Sequence, residues 1–112
     1  MRMIRFKRDC LDWIRQGIKT TTFRRNKKHG IYELVEGSRF HPRRLGIYIL
    51  LIPIEKTTAT DVILNHYGSE GDFKSPREFR EWLKKNRLEL PETGWLHRIE
   101  YLGTYLFKNS EG

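Results

Sequence analysis

The most apolar run of the chain, residues 46–54, sets the terms for the fold. Ile47, Tyr48, Ile49, Leu50, Leu51, Ile52 and Ile54 fill it almost without a polar break. A short continuous run of this kind is read as a strand covered on both faces, hence the central strand of the core. Pro53 has no amide proton to give, so regular pairing should weaken near its end.

The remaining elements are arranged around that strand. Residues 1–6 alternate basic and apolar and read as a first strand. A helix starts at Lys7 or Arg8 with Asp9 in its first turn, and Leu11, Ile14 and Ile18 form its apolar stripe. Residues 26–30 form a basic loop turned by Gly30. Residues 31–35 form a strand, and Glu36-Gly37-Ser38 turns into Arg39-Phe40-His41, with Pro42-Arg43-Arg44 as a loop. Thr58 or Thr60 can cap a short helix over 61–66. Residues 67–74 read as a glycine-containing loop around Glu70. Ser75, Pro76 and Glu78 form a capping box that opens the clearest helix, with Phe79, Trp82 and Leu83 on its apolar face and its end near Asn86. After a connection over 88–94, residues 95–101 and 104–107 read as closing strands, and 109–112 as a fraying tail.

Strands and helices do not alternate regularly, so a doubly wound sheet is excluded. The expected class is α+β: one domain over residues 1–108, a small, mostly antiparallel β-barrel with about three helices packed at its openings. A chain of 112 residues can bury one modest core without disulfides. The single cysteine, Cys10, has no intrachain partner and is expected to pack as a small apolar residue. No apolar run approaches the roughly 18 residues of a membrane span, and the first residues lack a signal peptide's apolar core. The expectation is a soluble cytoplasmic protein, monomeric by preference and without a membrane partner.

The net charge of +8 is unevenly placed. The first 28 residues hold ten basic side chains against Asp9 and Asp12, and the rest of the chain balances twelve against twelve. Segregation of this kind fits a polyanion, nucleic acid ahead of membrane, because the chain has no long basic amphipathic helix.

The stretch Gly17-Ile18-Lys19-Thr20-Thr21-Thr22-Phe23-Arg24 follows the first helix. Gly17 suits the left-handed position that closes a helix. In an extended segment Thr20, Thr22 and Arg24 share one face, and Thr21 and Phe23 the other. Two readings apply. The threonines can simply be strand formers, with Lys19 complementing the helix dipole; or Lys19, Thr22 and Arg24 can form a polar site.

The pattern G-x-K-x-x-T-x-R, carried by Gly17, Lys19, Thr22 and Arg24, resembles the signature of the ASCH domain family, small PUA-like β-barrels. The order of parts supports the likeness: a helix before the motif, an EGS hairpin, a core strand, and a helical segment with His66 and Glu70. The resemblance implies an RNA-associated domain whose cleft lies between barrel and helices. It also implies a rival reading, because some relatives are amidohydrolases of N-acetylated cytidine, using a threonine, a lysine and a glutamate, and others have been proposed as ribonucleases. Lys19 and Thr22 match the motif directly, and Glu70 matches the acidic member by its place four residues after His66.

A threonine hydroxyl attacks only when a base takes its proton, and a lysine serves as that base only where burial or a nearby cation lowers its pKa. Glu70 can orient Lys19 or pair with Arg24; if it holds Lys19 charged, the pair favours phosphate or carbonyl binding over base catalysis. Binding asks for less. Lys19, Arg24, Arg25, Lys27 and Lys28 can contact phosphates, and Arg43 and Arg44 can extend the track. Tyr67 and Trp95 can stack bases, and Phe23 can stack or belong to the core. His29, His41, His66 and His97 show no tight ligand spacing and there is no cysteine cluster, so neither metal nor cofactor is expected.

Overall fold

The computed structural model describes residues 2–104. They form five strands and four helical segments: β1 (Arg2–Arg5), α1 (Arg8–Arg15), β2 (Thr21–Arg24), β3 (Gly30–Gly37), β4 (Pro42–Thr58), α2 (Ala59–Asn65), α3 (Tyr67–Glu70), α4 (Pro76–Lys85) and β5 (Thr93–Gly103). The strands make one sheet in the order β1-β3-β4-β5-β2. Only β1 and β3 run parallel; the other pairs are antiparallel. The expected strand over 104–107 and the tail over 109–112 lie outside the described residues, apart from Thr104 itself.

The apolar run does occupy the centre of the sheet, because β4 is flanked by β3 and β5. Its pairing with β5 shifts register between Pro53 and Glu55, where the missing proline amide breaks the ladder. The strand begins earlier than expected. Pro42, Arg43 and Arg44 belong to β4 and not to a loop. Their charges are matched from β3: Arg43 pairs with Glu36, and Arg44 Nη2 lies 2.6 Å from Glu33 Oε1. Opposite charges across a ladder let arginines occupy strand positions that local propensity disfavours.

Capping accounts for the helix boundaries. Thr58 accepts the Asp61 amide at 3.1 Å and starts α2. Ser75 accepts the Glu78 amide at 3.2 Å, while the Glu78 carboxylate takes the Lys74 amide at 3.1 Å, one residue before the expected position. Residues 67–70, expected as loop, wind into the single turn α3, and the Ser69 and Glu70 amides both donate to the His66 carbonyl, at 3.2 and 3.1 Å.

Two apolar clusters fill the interior. One joins β1, α1, β3, β4 and β5 through Ile4, Leu11, Ile14, Leu34, Ile49, Leu51 and Ile99. The other joins Phe23, Val62, Phe73, Phe79, Leu83 and Leu96. Trp13 and Trp82 pack against both, with ring centroids 5.6 Å apart. No helix of the described residues is long and apolar enough to cross a membrane.

Candidate functional site

The site begins where α1 ends. Gly17 adopts φ 76°, which lets the Ile18 and Lys19 amides both turn back to the Trp13 carbonyl, at 2.8 and 3.1 Å. Thr20 is then pinned from two sides: its amide donates to the Ser69 carbonyl and its carbonyl accepts the Ile99 amide, both at 2.8 Å. β2 leaves this point fully paired to β5, with Thr22 opposite His97 and Arg24 opposite Trp95. Gly94 permits that pairing, since a Cβ there would stand 2.6 Å from the Arg24 carbonyl oxygen.

Lys19, Thr22, Arg24 and Glu70 line one cavity of about 690 Å³. Its lining combines cations from the end of β1, from β2 and from their flanks, where Arg5, Lys7 and Arg25 join Lys19 and Arg24, with apolar side chains from α4 and the connection after it, Phe79, Trp82, Leu83, Leu88 and Leu90. Glu89 and Glu92 reach it from the connection before β5. A second hollow of about 670 Å³ shares Arg5, Phe6, Lys7, Arg24 and Leu88 with the first, and adds Arg8 and Arg43 against the single carboxylate of Glu36.

Lys19 and Glu70 of this lining belong to a buried polar network that continues behind it through Thr21 and Ser69. Lys19 Nζ donates to the Glu70 main-chain carbonyl at 2.9 Å and lies 3.7 Å from Glu70 Oε1, both side chains being about 5% exposed or less. The other carboxylate oxygen, Oε2, accepts from Thr21 Oγ1 at 2.6 Å, and Thr21 Oγ1 also meets Ser69 Oγ at 2.8 Å. The hydroxyl in contact with Glu70 is therefore that of Thr21. Thr22 and Arg24 share a face as the alternation requires, and Thr22 Oγ1 accepts from Arg24 Nε at 3.1 Å. Arg24 Nη2 donates to the Arg5 carbonyl at 3.0 Å, and its guanidinium stands 4.7 Å from the Phe6 ring centroid. This bond ties β2 to β1, the two outer strands of the sheet. Burial draws the Arg24 pKa down from its ordinary value, against the pull of Glu70. The same cavity exposes one side of Cys10, whose thiol burial pushes up, away from the reactive thiolate.

His97 anchors the strand from behind. It is fully buried, and its Nε2 accepts the Lys28 amide at 2.9 Å. An amide can only donate, so the ring proton resides on Nδ1, which faces the Thr22 carbonyl at 3.3 Å. Burial is the main cause that lowers the His97 pKa, so the neutral ring is favoured.

The other expected contact residues are spread out. Arg25 is exposed at the cavity. Lys27 lies over the half-buried Trp95 ring at 4.8 Å, and Lys28 Nζ stands 5.7 Å from the Tyr32 ring. Arg43 reaches only the second hollow, and Arg44 is committed to Glu33. Tyr67 packs on the second core cluster and Phe23 belongs to it, and neither Tyr67 nor Trp95 lines either cavity. Thr21, Ser69, His97 and the 88–92 connection were not legible as site residues. Their partners lie 48 to 75 residues away along the chain, or become visible only once β5 is in register.

No protein-family model, no curated protein and no solved structure matches this chain.

Proposed function

We propose that the chain is an ASCH-type domain of the PUA-like superfamily that binds single-stranded nucleic acid, RNA foremost, with one nucleotide seated in the cavity beside Lys19, Thr22 and Arg24. The observation that carries this reading is the mixed lining: cationic side chains for a phosphate, and apolar side chains of α4 and the following connection suited to a base. The adjoining basic hollow offers a neighbouring phosphate a place beside Arg8 and Arg43. The Arg24–Arg5 bond between the outer strands supports reading the sheet as the curled wall of a barrel. Lys27, Lys28 and Arg25, on the exposed segment that leaves β2, extend the cationic border.

The test is binding of a fluorescent single-stranded oligonucleotide, RNA and DNA in parallel, across a salt series. Log affinity should fall linearly with log salt, by roughly 0.7 for each phosphate contact. A flat dependence, or no binding at low salt, refutes the proposal.

One observation favours the rival hydrolase reading: a buried carboxylate, Glu70, in contact with both a hydroxyl and an ammonium. In that reading Thr21 competes with Thr22 for the nucleophile's part, since Thr22 Oγ1 is occupied by Arg24. Incubation with N-acetylated cytidine, and separately with labelled RNA, decides it. Turnover lost in Lys19→Ala and Glu70→Ala would establish the hydrolase; turnover of neither substrate removes it.

A further inference from the structure

We propose that Glu55, Asp61 and His66 form a binding site for a divalent cation of the zinc class, outside the cavity and next to the turn that carries Glu70. Their ligand atoms lie within 4.8 Å of one another, with His66 Nε2 3.5 Å from Glu55 Oε1 and 3.5 Å from Asp61 Oδ2. Donor atoms around a tetrahedral ion at about 2.0–2.2 Å stand about 3.3–3.6 Å apart; the two spacings from His66 already match this, and the two carboxylate oxygens, within 4.8 Å of each other, need only a side-chain rotation to close on an ion. Two carboxylates held this close repel each other unless a cation lies between them, and a dication neutralises the pair completely. An imidazole nitrogen beside two carboxylate oxygens selects a borderline ion such as Zn²⁺ or Co²⁺ over Mg²⁺ or Ca²⁺, which prefer all-oxygen shells.

The surroundings hold the donors in place. Asp61 Oδ2 accepts from Thr57 Oγ1 at 2.7 Å and Oδ1 from Asn65 Nδ2 at 2.8 Å, the kind of outer hydrogen bonding that orients a ligating carboxylate. The three side chains are partly exposed, which leaves an entry path and a fourth position for water. The His66 carbonyl accepts the Ser69 and Glu70 amides and the Ser69 hydroxyl, so an ion on the ring would also steady α3. The site stands independently of what the cavity binds.

The experiment is a Co²⁺ titration of the tag-free full chain, read by the visible d–d absorption of a low-symmetry site, with Zn²⁺ and Mg²⁺ as competitors. One Co²⁺ per chain is expected, displaced by Zn²⁺ and not by equal Mg²⁺. Glu55→Gln and His66→Ala should lose binding, and Thr57→Val should weaken it about tenfold. Glu55 has a half-exposed side chain whose one polar contact among the described residues is His66, so Glu55→Gln tests the site without threatening the fold. Binding that persists unchanged in His66→Ala, or a wild-type chain that takes up neither ion, overturns the proposal; in the second case the trio is a surface contact between side chains only.

Discussion

Replacing Glu70 by glutamine removes a charge while keeping the side chain's size and an oxygen for Thr21 to bond. Lys19 Nζ would keep the main-chain carbonyl at 2.9 Å and lose the carboxylate 3.7 Å away. At that distance two unit charges attract by about 4–5 kcal/mol for an effective dielectric of 20, before desolvation is subtracted. Breaking a buried pair from one side costs about 3–5 kcal/mol. The retained carbonyl puts Glu70→Gln near the lower end, at about 3 kcal/mol. Lys19→Met should cost a similar amount, since it leaves a buried carboxylate supported by Thr21 and the field of Arg24. The double variant should also lose about 3 kcal/mol and not the sum, a coupling of about 3 kcal/mol. Urea unfolding reads this directly: with a slope of about 1–3 kcal/mol per molar, each midpoint falls by about 1–3 M. Additive losses in the double variant, or single losses under about 1 kcal/mol, would show that Lys19 and Glu70 are not a desolvated pair and would refute the reasoning.

Further predictions concern the strand that carries the site. The lowered pKa of His97 means that the folded chain binds fewer protons than the unfolded one, so stability rises with pH and is lost as pH falls below about 6.5, the unfolded value. The loss reaches at most about 1.4 kcal/mol per pH unit until the folded ring itself protonates; His97→Gln should flatten that part of the pH-stability curve, and an unchanged curve contradicts the buried neutral ring. Gly94→Ala should push the β2 backbone away from β5 and cost about 1–3 kcal/mol by thermal melting, with oligonucleotide binding weakened in parallel. Replacing Arg25, Lys27 and Lys28 together by alanine should weaken binding for all sequences alike and lower the salt slope by roughly 2.

What could be read along the chain was local chemistry. The Gly17 helix stop, the Thr58 and Ser75 caps and the apolar run that became the middle of β4 are each specified by residues a few positions apart. What could not be read depends on distant partners. Arg43 and Arg44 fit in the strand because β3 offers each a carboxylate, Glu36 directly opposite Arg43 and Glu33 diagonally from Arg44. Alternation correctly placed Thr22 beside Arg24, yet it said nothing of which threonine faces Glu70, because the turn that presents Glu70 is held by His66 and by Thr20. The spacing of Glu55, Asp61 and His66 is ordinary along the chain, and the three side chains converge only when α2 folds back on β4.

Leu88 offers the most direct test of the cavity as the binding site, because it lines both hollows and carries no charge. Leu88→Trp fills the shared wall while the net charge stays at +8. Measured by fluorescence anisotropy with a single-stranded RNA at fixed low salt, its affinity should fall at least tenfold, about 1.4 kcal/mol, with the thermal midpoint near that of the unsubstituted chain. An affinity equal to that of the unsubstituted chain would mean that any attraction comes from the basic surface alone, and that the cavity holds no nucleotide.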